Sequence, residues 1–464
     1  MAYRIDDLEI PSGDPFRNDT LERKPLVEFL SNLIGNLNGP FVLAIDSPWG
    51  SGKTTLVRML MEDLKSKAFQ CTYFNAWKVD YVTDPLVALV SSIDRIQLGA
   101  DEADSKFKGH LQTVKKVTTL VAKRGLMAAT KALTLGALDV EEEIEAAASE
   151  FASDSMGDIV DAFTKESELL EKFRAELAEA VELLPTAGKK PTLVFFIDEL
   201  DRCRPTFAIE LLERIKHLFD VPNIVFVLSI DKKQLEASTG AVYGSAINAA
   251  EYLRRFIDLE YGLPSMESKR YTENLIKRFD LDDALAKRNH AELAYDKKHF
   301  IEFFTLLANV MGLSLRAREP CITRLRIVLD QTPDDHYLDP VLVALLIVLR
   351  SNKPDLFAAA ISGKASAEDV MDFLKAMPGG KQLGSERSSL VVHAYLLAAD
   401  PDHERAQARI NELRRDATHG TSEETRRYAG ELLRMRDGLA GGIRGGISLA
   451  PVAAKIDLAA KVRG

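Results

Sequence analysis

Residues 41–60, FVLAIDSPWGSGKTTLVRML, read as a strand, a tight loop and a helix in succession. Phe41 to Ile45 is an apolar run with β-branched residues, the pattern of a strand buried on both faces. From Thr54 onward Leu56, Met59 and Leu60 recur at helical spacing. The loop between them, Ser47-Pro48-Trp49-Gly50-Ser51-Gly52-Lys53-Thr54, fits the Walker A pattern G-x-x-x-x-G-K-[ST] at every position but the first, where Ser47 replaces glycine.

The residue types follow from what a triphosphate needs. Gly50 and Gly52 let the backbone curl until its N–H groups, including those of Ser51 and Thr55, converge on one concavity that no side chain blocks. The helix that follows adds the positive end of its dipole. Lys53 reaches the β- and γ-phosphates, and the Thr54 hydroxyl ligates Mg²⁺. Ser47 adds a β-carbon where the loop turns, which alters its geometry without removing the phosphate site.

A partner carboxylate is expected on a neighbouring strand. The apolar run Leu193 to Ile197 ends in Asp198-Glu199, which delivers carboxylates to the carboxyl edge of a sheet, the Walker B arrangement. Asp198 is placed to hold Mg²⁺ largely through its water shell, and Glu199 to orient and activate the attacking water. A further strand, Asn223 to Ser229, puts Ser229 or Asp231 within reach of the γ-phosphate or the water, with turn chemistry as the other reading of Asp231. Phe69 to Trp77 supplies a second strand, with Asn75 and Trp77 at its carboxyl end. There ligands gather in open α/β sheets, although Trp77 serves equally well as a core residue. Arg254 and Arg255 precede the short strand Ile257 to Tyr261. One of them is expected to act on the nucleotide of a neighbouring subunit, against a reading in which it is a solvated helix residue.

At 464 residues with 46% hydrophobic and 28% charged residues, the chain has room for two or three cores. Its net charge of -10 argues against a surface dominated by nucleic-acid binding. Cys71, Cys203 and Cys321 are too scattered for a disulfide framework or a zinc cluster, and a reducing cytoplasm fits. The first residues carry no basic region followed by an apolar one, so no signal peptide is expected. Asp19 or Thr20 is the expected cap of a helix whose stripe runs from Leu26 to Ile34. Between the two Walker motifs the charge segregates: residues 105–138 hold Lys and Arg without a carboxylate, and residues 139–184 hold fifteen acidic residues. A helical hairpin with a basic helix pairing with an acidic one is expected. A basic amphipathic helix over Val117 to Leu138 lying on a membrane surface is the alternative, and a bilayer span is excluded by Lys123, Arg124 and Lys131.

Taken together, WGSGKT, FNAW, DELDRC, SIDKKQL and EYLRRFIDLEYGLP, in that order between Asp19 and Pro264, resemble the KAP family of P-loop NTPases. The resemblance implies an α/β fold: an ASCE-type P-loop NTPase with a five-stranded parallel sheet, helices on both faces and an insertion between the Walker motifs. It also implies ATP and Mg²⁺ as cofactors and hydrolysis with Glu199 as base. In many members the insertion carries transmembrane helices, and here it is too charged to do so. KAP-type ATPases occur in bacterial chromosomes, plasmids and prophages, some in systems that act against phage.

The expected organisation is an NTPase core in two parts, 1–104 and 188–264, around a charged helical insertion, 105–187. An all-helical lid follows at 265–437, then a Gly-rich linker and tail at 438–464. The lid resembles that of related ATPases. Its segment SLRAREPCITRLR sets Arg316, Arg318, Arg324 and Arg326 in a local basic patch, with Arg316 or Arg318 as a candidate nucleotide sensor. The function expected is a cytoplasmic, homo-oligomeric ATPase working as a conformational or assembly switch. The alternative is a slow, nucleotide-gated scaffold that recruits a separate effector. No N-K-x-D guanine signature occurs, and nothing resembles a helicase motif, an RNA-binding strand, a nuclease, a protease or a deaminase.

Overall fold

The computed structural model describes residues 9–94, 96–98, 101–133, 156–264, 269–286, 296–332, 339–384, 386–442 and 448–457. The chain divides into two compact units, Leu8–Pro264 and Ser265–Gly464.

The first unit is built on five parallel strands, β1 (Phe41–Asp46), β2 (Gln70–Asn75), β3 (Leu193–Asp198), β4 (Ile224–Ile230) and β5 (Leu259–Gly262), in the order β2-β3-β4-β1-β5. One strand, β4, separates the loop-bearing β1 from β3, the ASCE arrangement. β3 and β4 are buried along their whole length, as an apolar run covered on both faces must be. Alternation divides each strand between two cores. Leu43, Ile45, Val194, Phe196, Val225 and Val227 face α1 (Lys24–Gly35) and α2 (Lys53–Ser66). Ala44, Phe195, Ile197, Phe226 and Leu228 face the opposite layer, which includes α3 (Pro85–Ile93). The α1 cap differs from expectation. Arg23 is the N-cap residue, while Asp19 accepts from the backbone N–H of Leu21 at 3.3 Å and Lys24 at 2.9 Å and so organises the preceding turn.

The insertion contributes α4 (Asp101–Leu133) and α5 (Met156–Glu182), which pack against each other. α4 also packs against the turn Pro185–Ala187, so its first half lies beside the last half of α5. Here the expected charge pairing is corrected. Phe107, Leu111, Val114, Val117 and Val121 of α4 and Phe173, Leu177, Ala180, Val181 and Leu184 in and just beyond α5 are all buried in the same cluster as the sheet. Their spacing of three and four residues puts an apolar stripe between the helices, and beside it His110 of α4 lies 2.8 Å from Glu176 and 3.3 Å from Glu179 of α5, a part of the expected pairing that does form. Lys106, Lys108 and Lys115 pair instead with Glu102, Asp104 and Asp94. Val117 and Val121, offered above to a membrane surface, are core. Glu141, Glu142, Glu143, Glu145 and Glu150 lie outside the described residues. Among the described residues no helix is long and apolar enough to cross a membrane.

The layer beside the insertion is completed by α6 (Pro205–Leu218). After β4 come α7 (Lys232–Tyr243) and α8 (Ala249–Leu253). The second unit is helical: α9 (Lys269–Arg278), α10 (Asp282–Ala286), α11 (Asp296–Val310), α12 (Leu315–Asp330), α13 (Pro340–Asn352), α14 (Pro354–Ile361), α15 (Ala367–Ala376), α16 (Glu386–Ala398), α17 (His403–His419), α18 (Glu423–Gly442) and α19 (Leu449–Asp457). α13 is buried from Pro340 to Leu349 on every side, which marks it as the axis of this unit. The segment Gly438–Gly442, expected to open a linker, instead finishes α18. The tail docks as α19, where Arg324 donates to the Ile456 carbonyl at 3.0 Å and Arg350 to Asp457 at 2.6 Å.

Candidate nucleotide site

Strand register brings the site together. Asn75, Asp198 and Ser229 are partners on three adjacent strands, and Ser229 is in turn the partner of Ile45, two residues before Ser47. Three polar side chains therefore stand at one level of the carboxyl edge beside the loop. Gly50 and Gly52 adopt positive φ, 76° and 85°, the left-handed conformation in which a side chain is disfavoured. Gly52 is the N-cap residue of α2, so the amides of Lys53, Thr54 and Thr55 open the helix without a side-chain cap. Ser47 is buried and its N–H continues the ladder to the Ile230 carbonyl at 3.1 Å; Pro48 and Trp49 are exposed.

Lys53 is 8% exposed, and its ammonium donates to the Ser47 carbonyl and, at 3.2 Å, to that of Pro48. Burial pushes its pKa down, against the fields of Asp201, Asp231, Asp198 and Asp46, which push it up. One buried cation among four carboxylates repels a polyanion unless further positive charge enters with it. The residues present fit a divalent ion: Asp198 is 2% exposed at the strand edge and the Thr54 hydroxyl stands at the first turn of α2. Asp198 accepts from Tyr73 at 2.9 Å and from the backbone N–H of Glu199 at 2.9 Å. Ser229 is fully buried, and its Oγ has no hydrogen-bond partner within the protein. An orphaned hydroxyl at this place is suited to an oxygen of a bound phosphate or to the attacking water. Asp231 is buried and makes no side-chain cap to α7, contrary to the turn-chemistry reading.

Glu199 sits in the left-handed region, φ 61°, an uncommon conformation for a residue with a side chain. Both of its carboxylate oxygens are engaged: Oε1 accepts from Arg202, and Oε2 from Asn75 at 2.8 Å. Arg202 lies over the ring of Trp77 at 5.7 Å, and Trp77 is 52% exposed rather than core. Trp49 donates to Asp201, whose carboxyl is pushed up by burial and pulled back by Trp49 and Lys53. Tyr73, Asp201 and Arg202 escaped the reading of the sequence. Arg202 and Asp201 were within DELDRC, and the short 3₁₀ turn Leu200–Arg202 is what returns them to the site.

The remaining candidates Arg254, Arg255 and Arg316 are exposed arginines. Arg254 pairs with Glu251 at 2.8 Å and Arg255 lies over Tyr252 at 5.8 Å, both on the exposed turn after α8. Arg316 is exposed on α12 of the second unit. The basic patch expected around it is corrected. Arg318 is buried and donates to Asn309 at 2.7 Å, and Arg326 donates to the carbonyls of Phe279 at 3.2 Å and Asp280 at 3.0 Å. With Arg324 on the tail, three of the four hold their own unit together.

The KAP family P-loop domain matches residues 23–311, which include the loop, Asp198-Glu199 and all five strands. The chain belongs to the KAP family. The KAP chain is also similar to the solved Aeropyrum pernix ORC2 protein in its ADPNP-ADP complexes, at 13% identity over 93% of this chain and 97% of that one, with a TM-score of 0.36. The ADP form of the same protein gives 13% identity, 98% and 96% coverage and a TM-score of 0.27. At these scores neither likeness carries an inference about the KAP chain. No curated protein matches it.

Proposed function

We propose that the chain is an Mg²⁺-dependent ATPase in which turnover drives a conformational or assembly change. The observation that carries this reading is the convergence, by register, of Asp198 and Ser229 beside a loop whose glycines and lysine form a phosphate cradle. In this reading the loop amides and Lys53 hold the β- and γ-phosphates, and Ser229 orients the γ-phosphate or the water. Glu199 takes the proton of the attacking water as its oxygen bonds to the γ-phosphorus and the bond from that phosphorus to the β-phosphate oxygen breaks, ADP being the leaving group. Thr54 and Asp198 would hold Mg²⁺, which neutralises charge developing on the phosphate oxygens. Family membership implies a nucleotide, and the missing guanine signature favours ATP.

Steady-state hydrolysis with Mg²⁺ tests the assignment. Lys53→Ala is expected to lose both binding and turnover. Glu199→Gln keeps ATP binding while turnover falls by roughly 10²–10⁴-fold. Unchanged hydrolysis in Glu199→Gln removes Glu199 as the base. One observation favours a second reading, slow turnover in a nucleotide-gated scaffold: Asn75 and Arg202 occupy both oxygens that the base needs. Tight ATP binding with negligible turnover that rises on adding a partner protein would select it. The biological setting proposed, phage defence alongside a separate effector, rests on the family resemblance alone and fails if loss of the gene leaves phage sensitivity unchanged.

A further inference from the structure

Arg23 precedes α1 and is 3% exposed, deep burial for a guanidinium. Its Nη2 donates to the Ser51 carbonyl at 3.1 Å, which fixes the guanidinium against the phosphate loop. Its Nε and Nη1 are buried and have no hydrogen-bond partner, and the Oγ of Ser51, beside it, is buried without a partner as well. Asp19 is the carboxylate whose field acts on Arg23, yet its oxygens accept from the amides of Leu21 and Lys24. Burial correspondingly lowers the Arg23 pKa, with Asp19 and Tyr261 acting the other way.

A cation that cannot be discharged, removed from water with two of its donor nitrogens empty, destabilises the fold that holds it. Arg405, by contrast, meets Asp400 and the carbonyls of Gly363 and Ala365, and Arg174, Arg318 and Arg436 each leave one buried nitrogen without a partner where Arg23 leaves two. Orphaned nitrogens on a guanidinium that is bonded to the loop, and an orphaned Ser51 hydroxyl on that loop, mark a missing acceptor. Resting on the ATPase reading of this site, we propose that Arg23 is a further nucleotide-binding residue. It holds the loop through the Ser51 carbonyl and offers Nε and Nη1, with the Ser51 hydroxyl, to acceptor atoms of the bound nucleotide.

The test uses the full chain and Arg23→Met, which fills the volume without charge, and Arg23→Lys, which keeps the charge without the fork. Thermal unfolding without nucleotide and equilibrium binding of ATP and of inorganic triphosphate are measured. Arg23→Met is expected to melt at or above the wild-type temperature when free, while its ATP affinity falls about tenfold or more, the effect of losing a charge-assisted hydrogen bond. Arg23→Lys regains part of that loss. A parallel fall for triphosphate places the acceptors on the phosphates, and a fall for ATP alone places them on the base or ribose. Wild-type ATP affinity in Arg23→Met overturns the inference, as does a free protein that melts lower or fails to fold, because the guanidinium would then be satisfied without nucleotide. Wild-type protein that binds no ATP would instead remove the ATPase reading.

Discussion

With Arg202 on one oxygen and Asn75 on the other, Glu199 has to release one of them before it can meet a water molecule. Asn75 also accepts from the N–H of Lys78 at 3.0 Å, so the turn carrying the exposed Trp77 is tied through Asn75 to the Glu199 carboxylate. A second charged network occupies the other unit. Burial pushes Glu368 up, but the ring of His393, 3.4 Å away, and the hydrogen bond from Arg409 at 2.6 Å pull it down, to about 2. Tyr428 completes the set, at 2.9 Å from His393. A carboxylate held below its unfolded value stabilises the fold fully above about pH 4.5, and that contribution disappears as the pH falls through about 2. Glu368→Gln is therefore expected to cost about 1–2 kcal/mol near pH 7, discounted for its partial exposure, and nothing near pH 2. Far-UV melts across that range check it, and a constant difference between variant and wild type would contradict it. Chemistry dictated residue type and spacing at Gly50, Gly52, Lys53, Thr54, Asp198 and Glu199, and those were legible. Tyr73, Asp201, Arg202 and Arg23 were not, since their roles depend on a turn or on a contact between distant positions, such as Arg23 with Ser51.

Among the elements, the parallel strands were legible because double burial leaves an unbroken apolar run, though their ends shifted: β2 stops at Asn75 and leaves Trp77 to a 3₁₀ turn. The insertion was legible as two helices facing each other but not in its contact, because net charge describes the whole surface whereas the stripe that meets the partner is a small apolar part of each helix. Phe173 joins that stripe to the sheet through rings. It meets Phe219 edge-on at 5.4 Å, and Phe219 meets Phe195 at 5.7 Å and Phe226 at 5.4 Å. Phe173→Ala is expected to destabilise the first unit by about 3–5 kcal/mol, and Leu120→Ala, on the exposed side of α4, by less than about 0.5 kcal/mol. Both tryptophans belong to that unit, so denaturation followed by their emission reads the difference. Equal midpoints would mean that the insertion is an appendage and not part of the core.

At the scale of the whole molecule, the arginines after α8 remain the candidates for action between copies. If a shared site forms, specific ATPase activity rises with protein concentration, and Arg254→Ala or Arg255→Ala lowers turnover about tenfold or more without weakening ATP binding. Activity independent of concentration and unchanged in both variants would place the catalytic set within one chain. The helical unit was legible as helical from periodicity. The end of α18 was not, because glycines that suggest a linker are tolerated in a helix at about 1 kcal/mol each. The insertion, finally, enters and leaves the core at neighbouring points, since the start of α4 and the end of α5 share one apolar ladder with the sheet. That makes the pair a socket. Because both helices are fixed to the sheet, a change in the length of the segment between them is expected to leave unmoved the strand edge that carries Asp198 and Ser229.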